Sequence, residues 1–213
     1  MEYILSADSL KELFIWIDAA FAVHEDMKGH TGGAMSMGKG TFMVKSSKQK
    51  QNTLSSTECE HSGVAHYLPN AIWMIQFLKY QGIELEKKYL FQDNESTIKL
   101  LKNGRLSAGQ NSRHIDIRLF FSKDRIKSEN IDVQHCPTEK MIADFYSKPL
   151  QGTKFREMRD WAMGHKHIGT SFTSPMPTSE ERVGDEEKVS HVSIGDAKKR
   201  TYADVTRGNS GHE

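Results

Sequence analysis

The sequence predicts an α/β fold: a mixed five-stranded sheet, three antiparallel strands followed by parallel additions, flanked by helices. Three observations lead there. The run Leu13-Phe14-Ile15-Trp16-Ile17 is apolar, aromatic and β-branched, and too short for most helices, so it suits a strand buried on both faces. Val64, Leu68, Ile72, Ile75 and Leu78 recur every three or four residues, the stripe of an amphipathic helix. Further strand patterns at Lys87–Gln92 and Ile131–His135 are separated by helical stretches.

Bulk properties bound the rest. The 213 residues suit one domain plus an appendage, and 29 Lys/Arg against 28 Asp/Glu leave no global basic bias. Nucleic-acid binding would therefore need a local basic face. Cys59 and Cys136 make no disulfide framework and no Cys-rich zinc module; they read as intracellular thiols. No apolar run reaches transmembrane length and the N-terminus lacks a secretory pattern, so no membrane partner is expected and the protein is expected inside the cell. The composition changes near Gly164. Three segments follow: a lead-in over 1–12, a folded domain over 13–164, and a polar tail over 165–213 that reads as disordered. About 160 folded residues can bury roughly two-thirds of their surface, enough for one core.

The first strand ends on Asp18. A polar turn leads to strands at Thr31–Gly38 and Thr41–Lys45 around the tight-turn signal Gly38-Lys39-Gly40, giving an antiparallel meander. Lys48 and Lys50 lie in the polar stretch before the long helix, where nucleic-acid phosphates could pass; a plain surface loop explains them equally well. Thr57 and Glu60 have capping-box spacing at the helix start, Pro69 should bend the helix, and Gly82 ends it. Glu58 and Glu60 are about 200° apart around the helix axis. Stepping back one turn from Val64 lands on Glu60, which therefore joins the sheet-facing stripe while Glu58 points away.

The strand Lys87–Gln92 also ends on an acid, Asp93, and Asn94-Glu95-Ser96-Thr97 starts a helix that Asn103-Gly104 stops. Side chains at the carboxyl ends of strands line crevices in α/β proteins. A third helix runs from Arg113 to about Lys127; Arg113, Arg118, Lys123 and Arg125 face phosphates or simply water. After the strand Ile131–His135, Pro137-Thr138-Glu139 opens a helix containing Met141–Tyr146 and a fourth acid, Asp144. A short amphipathic helix over Phe155–Met163 closes the domain.

Asp18, Glu60, Asp93 and Asp144 gathered in one crevice would repel one another unless cations intervened. Oxygen-only ligands suit Mg²⁺ or Mn²⁺, and two such ions can clamp a phosphodiester.

Trp16-Ile17-Asp18-Ala19, Leu54-Ser55-Ser56-Thr57-Glu58-Cys59-Glu60, Gln92-Asp93-Asn94-Glu95-Ser96, Arg113-His114-Ile115-Asp116-Ile117-Arg118 and Ile142-Ala143-Asp144-Phe145-Tyr146-Ser147-Lys148-Pro149-Leu150 occur in that order. Together they resemble the ribonuclease H domain of Ty1/copia-type retrotransposon Pol polyproteins, over roughly Leu13–Trp161. The resemblance implies a ribonuclease H-like fold and cleavage of the RNA strand of RNA–DNA hybrids with two divalent metal ions, Mg²⁺ or Mn²⁺, and no small-molecule cofactor. It carries the acidic tetrad onto Asp18, Glu60, Asp93 and Asp144 as catalytic and metal-holding residues. Gln92-Asp93-Asn94 and Ser147-Lys148 match motif positions with supporting roles; Asn94 and Lys148, with Lys48, Lys50 and Arg113 where phosphates could pass, are the expected nucleic-acid contacts.

Two departures follow. Cys136–Ala143 has no histidine where cellular ribonucleases H carry one, and His135 comes too early for that role. The family's reverse transcriptase domain is missing from this chain, so the resemblance implies a domain detached from its polymerase. The rival reading is a folded but weak or inactive remnant that binds nucleic acid or a partner, since phosphate contacts supply most nucleic-acid affinity. An integrase-type transferase is disfavoured by the order of the acids. Zinc is remote, because no histidine pairs with both cysteines at zinc-site spacing.

Overall fold

The computed structural model describes residues 2–104 and 113–168, the side chains of 113–117 and 119 excepted. The polar loop 105–112 and the tail beyond 168 lie outside the described residues. The strands are β1 (Ser6–Ala7), β2 (Glu12–Ala20), β3 (His30–Ser36), β4 (Gly38–Lys39), β5 (Met43–Lys48), β6 (Lys87–Gln92) and β7 (Asp132–His135). The helices are α1 (Ser56–Tyr80), α2 (Glu95–Asn103), α3 (Arg113–Ser128), α4 (Asp144–Ser147) and α5 (Gly152–Ala162), with a 3-10 turn at Thr138–Lys140.

The main sheet has the order β5-β3-β2-β6-β7. β2 and β3, and β3 and β5, run antiparallel; β2 and β6, and β6 and β7, run parallel. β2 is central and buried along nearly its whole length, as its composition predicts. Strand alternation divides its side chains. Leu13, Ile15 and Ile17 pack with Val64, Tyr67, Leu68 and Ala71 of α1 on one face. Phe14 and Trp16 pack with Phe91, Met141, Ile142 and Ala143 on the other. Each large side chain so buried contributes about 2 kcal/mol.

Several local expectations are corrected. Gly38-Lys39-Gly40 is more than a turn: Gly38–Lys39 pairs with Ser6–Ala7 in a separate two-stranded sheet. The N-terminal lead-in is tied further by Ile4 N–H to the Met163 carbonyl (2.9 Å) and by Tyr3 to the Thr41 carbonyl. At the other end His167 bridges to Lys39, and Ile168 is fully buried. Lys48 ends β5 instead of lying in the following loop. The expected single helix after Pro137 is a 3-10 turn and a separate four-residue α4. α1 runs unbroken through Pro69.

The α1 cap is also not the predicted one. Ser55 Oγ accepts from Glu58 N–H (3.1 Å), and Glu58 Oε2 accepts from Leu54 N–H (2.7 Å). Ser55 thus caps the helix and Glu58 reaches back past it to Leu54, which occupies Glu58 and leaves Glu60 to point inward. Ser55→Ala should cost about 1 kcal/mol, read from urea unfolding at constant m-value.

Candidate active site

The parallel pairing of β2 with β6 sets Trp16 opposite Phe91. Continuing that register brings Asp18 and Asp93 side by side at the carboxyl ends of the two strands. α1 crosses β2 closely because Gly63 has no side chain; a Cβ there would stand 3.1 Å from Ala19 Cβ. One turn earlier on the same helix, Glu60 reaches the end of β2, where its Oε2 accepts from Ala19 N–H (2.9 Å). One carboxylate oxygen from each of Asp18, Glu60 and Asp93 lies within 4.8 Å of the others, the one such grouping of three or more His, Cys, Asp or Glu found among the described residues.

Asp144 joins from the opposite side. α4 packs on β3, and Gly32, the β3 partner of Asp18, lies directly beneath it: a Cβ at Gly32 would meet the Ala143 carbonyl oxygen at 2.5 Å. Asp18 and Asp144 are both fully buried. Their link is a cation. Lys148 Nζ lies 2.6 Å from Asp144 Oδ1 and 3.2 Å from Asp18 Oδ1, while the Lys154 ammonium holds the other Asp144 oxygen. Ser147 Oγ donates to Asp18 Oδ2.

Of the expected nucleic-acid contacts, Asn94 caps α2, its Oδ1 accepting from Thr97 N–H at 3.0 Å. Lys48 pairs with Asp26 at 2.8 Å. Lys50 is exposed and borders a cleft of about 410 Å³ between the β5–α1 loop, α1 and α3, with Ser62, His66 and Arg118 on its walls. Arg113 heads α3, and its side chain lies outside the described residues. Lys148 is engaged with the carboxylates. His135 pairs with Gln92 in the parallel register, beside Asp93.

Gln92, expected in a supporting role, and Lys154, which was not expected, also build the site. Gln92, buried at the end of β6, donates through Nε2 to Glu60 Oε2 (3.3 Å) and accepts through Oε1 from Asp93 N–H (2.8 Å) and Asn94 N–H (3.2 Å). It orients Glu60 and fixes the backbone that carries Asp93. A buried polar residue closing an apolar strand is the signal that marks it. Lys154 leaves no such mark, since one lysine in the first turn of an exposed helix resembles any other.

The electrostatics disfavour the ionised forms of these acids. Burial pushes Asp18 up to about 6, helped by the charges of Asp144 and Asp93 and opposed by Lys148. Burial, then Asp18 and Asp93, drive Glu60 well above the usual carboxylate range, and burial also raises Asp93. Oxygen donors whose ionised forms are this costly fit a hard divalent cation, which would offset their mutual repulsion. An acid raised in the folded state binds its proton more tightly there, so its contribution is present below the unfolded pKa near 4 and is lost as pH rises through about 6. The melting temperature of the metal-free protein should therefore fall between pH 4 and above 6, with Asp18 alone worth about 3 kcal/mol, and Mn²⁺ should reverse the fall. Calorimetric melting at each pH, with and without Mn²⁺, checks this.

No family model matches the chain. The Pol polyprotein of transposon TNT 1-94 from Nicotiana tabacum is 26% identical over 143 residues, covering 67% of this chain. That of transposon RE1 from Arabidopsis thaliana is 30% identical over 146 residues, covering 68%. The chain spans 11% and 10% of the length of these two relatives. Among solved structures, LC11-RNase H1 isolated from compost aligns with a TM-score of 0.48 at 14% identity, over 63% of this chain and 91% of that one. By its sheet order and helix placement the described chain has the ribonuclease H-like fold, and its relatives are the Pol polyproteins of Ty1/copia-type retrotransposons.

Proposed function

We propose that this chain is a divalent-metal-dependent endonuclease that hydrolyses the RNA strand of RNA–DNA hybrids. The observation that carries the reading is the convergence of Asp18, Glu60 and Asp93 at the ends of two parallel strands, with buried Asp144 across from them. Asp18, Glu60 and Asp93 would hold one Mg²⁺ or Mn²⁺, and Asp18 with Asp144 would hold a second. When bound, such ions make water a nucleophile at neutral pH and stabilise the oxygen that leaves the phosphodiester. The protein's own part is positioning: Ala19 N–H and Gln92 aim Glu60, Ser147 aims Asp18, and the buried strand ends keep the carboxylates from rearranging. The hybrid is the substrate class; LC11-RNase H1 is itself known in complex with an RNA/DNA hybrid.

A second reading, a remnant too weak at binding hybrid to act alone, draws support from the lysines: Lys48 and Lys148 are both taken up by acids. Both readings meet one experiment, cleavage of an end-labelled RNA–DNA hybrid by the purified chain in Mg²⁺, in Mn²⁺ and in chelator, beside RNA and DNA duplexes. The enzyme reading expects metal-dependent cutting of the RNA strand of the hybrid alone. A folded protein that cuts nothing at high concentration leaves the remnant, and a reverse transcriptase domain supplied in trans then shows whether binding was the deficit.

A further inference from the structure

The Lys148 ammonium stands between the Asp18 and Asp144 carboxylates. Asp144 is neutralised twice, by Lys148 and Lys154. Asp18 contributes one oxygen to Lys148 and the other to Ser147. Among the described residues Glu60 and Asp93 form no ion pair, whereas the Asp18–Asp144 edge already holds a positive charge. The two halves of the carboxylate cluster therefore differ before any ion arrives.

We infer that Lys148 is an internal cation that competes with the second divalent ion for the Asp18–Asp144 edge, making ion binding sequential. The inference rests on the metal-dependent reading above and adds to it an order of loading. An Mg²⁺ ion needs oxygens at about 2.0–2.1 Å, and an ammonium 2.6 Å from Asp144 and 3.2 Å from Asp18 occupies the space such an ion would take. Like charges repel, so the ion and the ammonium exclude each other electrostatically as well. Lys148 can give way. It follows the four-residue α4 in extended conformation, and about a third of its side chain is exposed, so its four-carbon stem can carry the ammonium into solvent. Burial works against the Lys148 charge, but Asp18 and Asp144 raise its pKa above the ordinary lysine value, so it stays charged at neutral pH. Without ions it shields two buried acids from each other. The first ion enters beside Glu60 and Asp93, which Lys148 does not contact, and the second enters only by displacing Lys148.

The test is Mn²⁺ binding to the full chain, followed by calorimetry and by the paramagnetic signal of free Mn²⁺, for the wild type and Lys148→Met. Methionine keeps an unbranched stem and removes the charge. In the wild type one Mn²⁺ binds at least tenfold tighter than the second. In Lys148→Met the second ion tightens roughly tenfold or more, the first changes by less than the second, and the metal-free melting temperature falls but recovers on adding Mn²⁺. Unchanged second-ion affinity in Lys148→Met overturns the inference and leaves the proposed function standing. If neither protein binds Mn²⁺, both fall together. Should Lys148→Met fail to fold, Lys148→Arg decides: guanidinium pairs with carboxylates bidentately, so the second ion must bind more weakly than in the wild type, and equal binding rejects the competition.

Discussion

Asp93→Asn should lower cleavage of an RNA–DNA hybrid by at least about a hundredfold while leaving the melting temperature of the metal-free protein unchanged or higher. Replacing even an outer partner of a metal ligand commonly costs 10–100-fold, so loss of a ligand itself should cost no less. The stability side follows from where Asp93 is held. Gln92 grips its backbone N–H, a bond the substitution keeps. The carboxylate is half-buried and its ionised form is disfavoured by burial, with Asp144 adding to the push. A neutral amide of the same shape removes that repulsion. kcat/KM for hybrid cleavage and a thermal melt on the same sample check both halves. Equal loss of fold and activity would mean that Asp93 is structural. Asp144→Asn should behave differently, because it strips two lysines of their shared acid and so costs stability as well as activity.

Gly32→Val should be the most damaging single change to the fold. Gly32 sits opposite Asp18 on β3, and any Cβ there runs into backbone: the Ala143 carbonyl oxygen at 2.5 Å and Ser147 N at 2.7 Å. Backbone cannot rotate away as a flexible side chain can, so α4 must lift from the sheet. Overpacking of this kind costs about 3 kcal/mol or more. It also carries Asp144, Ser147 and Lys148 away from Asp18. Urea unfolding should show the loss, and Mn²⁺ should stabilise the variant less than it stabilises the wild type. Gly33→Val, which meets the Tyr67 ring at 2.3 Å on the opposite face, should destabilise without that loss of metal response.

Much of the site was legible because it follows from period. The apolar run 13–17 can only be a buried strand, so its terminal acid stands at a sheet end; helix phase separates Glu60 from Glu58; and strand-acid-helix repeats at Asp93. What period does not encode stayed hidden. The cap fell on Ser55 and not Thr57, because several hydroxyls precede α1 and only the backbone's departure from helix decides among them. The role of Gly32 depends on which backbone lies above it, a long-range fact. Lys148 reads as a phosphate contact in sequence; its carboxylate partners include one far earlier in the chain. The small β1–β4 sheet is two residues wide, below what a pattern can carry.

The central strand has a consequence in time. The α4 segment bearing Asp144, a partner of β2, emerges from synthesis well over a hundred residues after that strand. At 5–20 residues per second that interval is on the order of ten seconds. Throughout it the meander β2-β3-β5 exists with one edge of β2 unclaimed, since β6 also comes afterwards, and with one face of Phe14 and Trp16 uncovered. The nascent chain is thus longest exposed at its most apolar strand, and the ribosome-bound half-domain is the species that chaperones would meet.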